Sequence, residues 1–155
     1  MKTTLPTRSL IARDRLTRVT EEILAAAKDK IAMIILFGSY AKGTWVQDWY
    51  TEGHILYSYQ SDFDIMVIVK GKYGSGSARF GIEDNIKRRV EKKGLRGLGL
   101  KDPLVTIVLE SINVVNEQLE QGQYFFTDIK KEGVLLYDSG EFKLSEAKEL
   151  TPEKR

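Results

Sequence analysis

The chain has 155 residues, 30% of them charged, and a formal net charge of +2; this is the size of one domain with its own core, and too little charge to attract polyanions in bulk. With no cysteine, disulfides and thiolate metal sites are excluded, as in a reducing cytosol, and the single histidine, His54, cannot build a zinc site alone. No apolar run approaches the roughly 18 residues of a membrane span, and Arg8, Arg13, Asp14, Arg15 and Arg18 interrupt any signal-peptide core.

Residues 1–7 form a polar lead-in. Leu10, Ile11, Leu16, Val19, Ile23 and Leu24 then recur at helical spacing, which predicts a helix from Ser9 to about Lys28 with one stripe against a sheet. Ile31 to Phe37 is an apolar run ending at Gly38-Ser39, the pattern of a buried strand entering a turn. Ser39 to Gly43 reads as the start of a short helix, with its amides and positive dipole end toward an anion. Thr44 to Gln60 is rich in aromatics (Trp45, Trp49, Tyr50, Tyr57, Tyr59) and breaks at Glu52-Gly53-His54, so it is predicted as an inserted hairpin packed on its own domain, the alternative being rings that stack on a base or meet a partner.

Ser61-Asp62-Phe63-Asp64 opens a second apolar strand, Ile65 to Val69. Strand side chains alternate faces, so Asp62 and Asp64 point the same way and Phe63 points into the packing. Two carboxylates with substrate phosphate oxygens are a ligand set that suits magnesium, and a Gly-Ser turn lets amides and a hydroxyl approach a phosphate closely. Lys70 to Ser77, with Gly71, Gly74 and Gly76, lacks the P-loop arrangement and is predicted as a flexible connection. Phe80 to Lys93 spaces Ile82, Ile86 and Val90 as a helix; Lys87, Arg88, Arg89, Lys92, Lys93, Arg96 and Lys101 are its basic side, by default a solvated face and otherwise the best site for nucleic acid or phosphate. Leu104 to Glu110 is predicted as a third strand and Ser111 as the N-cap of a helix to Glu120. A short helix from Tyr124, stopped by Gly133, and a final strand at Val134 to Tyr137 complete a domain of residues 1–140. A charged tail follows at 141–155, in which Phe142 and Leu144 dock and the rest frays.

The segments Phe37-Gly38-Ser39-Tyr40-Ala41-Lys42-Gly43-Thr44 and Ser61-Asp62-Phe63-Asp64-Ile65 together resemble the signature of the polymerase-beta-like nucleotidyltransferase superfamily. The likeness is greatest to the small minimal nucleotidyltransferases (MNT) associated with HEPN domains. It implies an α/β (α+β) nucleotidyltransferase fold: a small mixed sheet with helices packed mainly on one face, plus the inserted hairpin. It further implies transfer of a nucleoside monophosphate, AMP from ATP, to a hydroxyl acceptor such as one on a HEPN partner protein. On the matching positions, Asp62 and Asp64 are the catalytic metal ligands for Mg2+, and Gly38, Ser39, Lys42 and Ser61 bind the nucleotide.

The resemblance also implies a third carboxylate on a later strand, where this chain has Thr106. Glu110, on the same face by parity, is the remaining candidate catalytic acid, ranked below a missing ligand. The alternative is therefore a degenerate, antitoxin-like module that binds nucleotide or partner without transfer. A cytoplasmic setting is expected, and self-association is left open.

Overall fold

The structure, a computed structural model, describes residues 1–52, 55–90 and 104–148. A 3-10 turn at Thr7–Ala12 leads into α1 (Arg13–Ala27), then β1 (Ile31–Phe37) and the four-residue α2 (Ser39–Lys42). The hairpin strands β2 (Gln47–Glu52) and β3 (Ile55–Gln60) follow, then β4 (Phe63–Val69) and α3 (Gly76–Arg89). The remainder is β5 (Val105–Ser111), α4 (Ile112–Glu120), α5 (Tyr124–Glu132) and β6 (Val134–Asp138).

The sheet is mixed and four-stranded in the order β5-β4-β1-β6, and β2 and β3 pair separately as the expected hairpin. Its turn at Gly53 and His54 lies outside the described residues. Strands β4 and β5 run parallel, while β1 is antiparallel to both β4 and β6. A parallel pair needs a crossover, which the segment containing α3 supplies.

The helices are divided between the two faces, rather than kept mainly on one. On the first face Ile34, Leu36, Ile65 and Val67 meet Leu16, Val19 and Ile23 of α1 and Ile82 and Ile86 of α3. On the second, Met33, Ile35, Met66 and Ile68 meet Ile112, Val115 and Leu119 of α4 and Ile129 of α5. The physical reason was visible in composition: β1 and β4 are continuous apolar runs, buried at nearly every position, and a strand that is apolar on both sides needs cover on both.

Other local expectations hold or shift for identifiable causes. Ser111 caps α4, its hydroxyl accepting from the Val114 amide at 3.2 Å. The glycine run after β4 is not a loose connection. It forms a 3-10 turn at Gly71–Tyr73 and then enters α3 from Gly76, and a Cβ added at Gly71 or Gly74 would stand 2.5 Å from Asn113 or Ser111. These glycines serve close packing, not freedom. The tail also stays attached beyond Leu144: Ala147 joins Phe142 and Leu144 against the second core, and the Lys148 amide donates to Leu119 at 3.0 Å.

Candidate functional site

The antiparallel pairing of β1 with β4 brings the end of one beside the start of the other, so Phe37 lies directly across from Asp64. Gly38 follows at φ +75°, a conformation that L side chains rarely adopt, and a Cβ built there would lie 2.3 Å from Asp64 Oδ2. The two halves of the sequence motif, separated by the hairpin, therefore close onto each other. A side chain at Gly38 would meet the Asp64 carboxylate, which already occupies that space. Ser39 begins α2, whose first-turn amides follow the corner; its own carbonyl accepts from the Thr44 amide at 2.9 Å.

Asp62 stands just before β4 and Asp64 is its second residue. The parallel ladder sets Asp64 opposite Thr106, and the Thr106 hydroxyl donates to Asp62 Oδ2 at 3.3 Å. Asp62, Asp64 and Thr106 thus share one face, as parity predicted. Burial raises the Asp64 pKa above the usual carboxylate range, and the neighbouring charge of Asp62 raises it further. Both causes disfavour the ionised form. A divalent cation would relieve both, and two carboxylates with phosphate oxygens and waters match the way magnesium is usually held. No group of three or more His, Cys, Asp or Glu side chains among the described residues could hold a metal ion, so an all-protein cage is not what this corner offers.

The structure does not bring Glu110 to this pair. In the β4–β5 register Glu110 lies opposite Ile68, four residues beyond Thr106, which is roughly 13 Å along the strand. There it faces Arg79 Nη1 at 3.6 Å, and Arg79 also donates to the Leu109 carbonyl at 2.7 Å. Parity put Glu110 on the correct face at the wrong end.

Two other expected site residues have protein partners. Lys42 Nζ lies 3.1 Å from Asp128 on α5, whose hydrogen bond is the main cause of its raised pKa. Ser61 and Val46 bond reciprocally: the Ser61 hydroxyl accepts from the Val46 amide and the Ser61 amide donates to the Val46 carbonyl, both at 3.0 Å. These bonds hold the mouth of the hairpin beside the acids. On the basic side of α3, Lys87 pairs with Glu83, Arg88 with Asp84 and Arg89 with Glu22, so its described part is internally paired. Lys92, Lys93, Arg96 and Lys101 lie outside the described residues.

Sequence reasoning missed the contribution of α5. Phe125 packs edge-on against Phe37 with ring centroids 5.7 Å apart, and Asp128 holds Lys42, so this helix walls the corner. The run Tyr124-Phe125-Phe126 signalled only an apolar helix, since nothing local in it points to Gly38.

The family model for polymerase beta nucleotidyltransferases matches residues 21–142, well over half of the chain. The chain belongs to that family. Among solved structures, a candidate nucleotidyltransferase from Sulfolobus solfataricus, determined at 1.40 Å, is 15% identical, with 88% of this chain and 92% of that one covered and a TM-score of 0.46. That likeness is too loose to bear on the site. A comparison with curated proteins finds no match.

Proposed function

We propose that the chain is a metal-dependent nucleotidyltransferase that moves AMP from ATP onto a hydroxyl acceptor carried by a HEPN-domain partner protein. The observation that supports it most directly is the Asp64 carboxylate lying against the Gly38 backbone with Asp62 on the same face. In this reading Asp62 and Asp64 hold Mg2+, which when bound supplies charge neutralisation for an in-line displacement at the α-phosphorus. The Ser39 hydroxyl and the amides of the Gly38-Ser39 corner orient the phosphates. The acceptor oxygen forms a bond to the α-phosphorus as the bond to the bridging oxygen breaks, pyrophosphate departs with the electron pair, and the acceptor proton passes to solvent. Thr106 orients Asp62 through its hydrogen bond and, being neutral, takes no proton itself.

The cytoplasm is the setting of this reading; no helix among the described residues is long and apolar enough to cross a membrane. A second reading is favoured by one pair of observations, Thr106 at the position facing the acids and Glu110 at the far end of β5. It is a nucleotide- and partner-binding module, antitoxin-like, that transfers nothing.

Incubation with α-labelled ATP, Mg2+ and a HEPN-domain protein separates the two. Label on the partner that disappears in Asp64→Ala supports transfer. Stable partner binding with no label in either protein supports the module, and failure to take up ATP with Mg2+ removes both.

A further inference from the structure

The wall that α5 raises beside the Gly38 corner is aromatic and partly open. Phe37, across the β1–β4 ladder from Asp64, lies on the same face as that carboxylate, because directly opposed residues of an antiparallel pair share a face. Phe125 meets Phe37 edge-on, and Phe126 in turn meets Phe125 at 5.2 Å, again near-perpendicular. Phe126 packs into the second core, whereas Phe125 keeps 39% of its surface exposed and Tyr124 keeps 78%. The Lys42–Asp128 pair pins this end of the fold, α2 to α5, one helical turn beyond Tyr124. Two rings are thus left accessible on a helix whose neighbour across the sheet end is the Gly38 corner.

We propose that Phe125, with Tyr124 beside it, is the ledge on which the base of a bound nucleotide stacks. This rests on the reading of Gly38, Ser39, Asp62 and Asp64 as the phosphate and metal site. Continuity with that site identifies the occupant: a nucleotide anchored by its phosphates at the corner carries its base away from the acids, and Phe125 packs on Phe37, the residue directly across the ladder from Asp64. Stacking reads ring area and not a hydrogen-bond pattern, so the ledge favours purine over pyrimidine nucleotides and discriminates weakly between ATP and GTP.

The test compares Mg-ATP with Mg-tripolyphosphate, which has the phosphates and no base, by titration calorimetry on the full chain. Three proteins are compared: wild type, Phe125→Leu, which keeps apolar bulk against Phe37 and Phe126, and Tyr124→Ala, which alters an exposed position. The expected result is ATP binding at least about tenfold tighter than tripolyphosphate in the wild type, and weakened about tenfold by Phe125→Leu, with tripolyphosphate unchanged. Tyr124→Ala has a smaller effect in the same direction. Equal affinities of the wild type for the two ligands overturn the ledge while leaving the phosphate site standing. Unaltered ATP binding in both variants does so too, and points instead to a protein contact at these rings. Parallel loss of both ligands in Phe125→Leu also overturns it, because the ring would then act through the fold. If the wild type binds neither ligand, the phosphate site itself falls and the ledge with it.

Discussion

The β4–β5 ladder carries acids on one face at both of its ends, and their surroundings differ in kind. At one end Glu110 has a guanidinium 3.6 Å away, and Arg79 in turn is fixed to the Leu109 and Gly74 carbonyls. At the other end Asp64 has a second carboxylate for a neighbour, a glycine backbone against it and a raised pKa. An acid whose charge is answered within the protein is part of the architecture. An acid held beside another acid, partly out of water, has its charged form disfavoured instead.

The first way to break this comparison is Asp64→Asn. It is expected to reduce Mg-ATP affinity by more than the 10–100-fold that changes in the surroundings of a metal ligand cost, as read by calorimetry. The same variant sharpens the contrast in the absence of metal. A raised folded-state pKa means that the folded chain holds this proton more tightly than the unfolded one. Stability therefore falls as pH rises from the ordinary carboxylate range through the raised value. Asp64→Asn removes that loss, so its stability is flatter across that window and its Tm near neutral pH is higher by about 2 °C, a small gain because the carboxylate is partly solvated.

Gly38→Ala comes next. It places a Cβ on the Asp64 carboxylate at a positive φ and is expected to cost about 2–4 kcal/mol in urea denaturation, with loss of nucleotide binding. Thr106→Asp asks whether the missing acid is all that separates the two readings of function. It adds a third carboxylate to the face of Asp62 and Asp64, and is expected to raise Mg2+ affinity about tenfold while lowering metal-free stability by about 1 kcal/mol through like-charge repulsion. Retained or weakened Mg2+ binding in this variant would show that the corner does not hold the ion as described. Glu110→Gln has the smallest effect: about 0.5 kcal/mol of stability from a partly exposed pair, and no change in Mg-ATP affinity.

Much of the corner was legible because its information is local. The Gly38-Ser39 turn and the period-two pair Asp62 and Asp64 each depend on neighbours within a few residues, as does the cap at Ser111 at the far end of β5. The packing of Gly71 and Gly74 is not legible for the opposite reason, since it depends on Asn113 and Ser111, some forty residues away. Glu110 failed in another way. Parity along a strand specifies a face and says nothing of position along the neighbouring strand; only the β4–β5 register supplies that.

From the amino-acid order alone came the strand and helix types, the mixed α/β class, and the two short motifs whose residues meet at the corner, because backbone propensity and side-chain alternation act over a few residues. Tertiary structure decided which helices cover which face, that Arg79 claims Glu110, that Lys42 belongs to Asp128, and that Phe125 packs on Phe37, which lies across the ladder from Asp64. Each of these is a contact between segments distant in the chain, and strand register and helix docking are set by the burial of the whole core rather than by any stretch read in isolation.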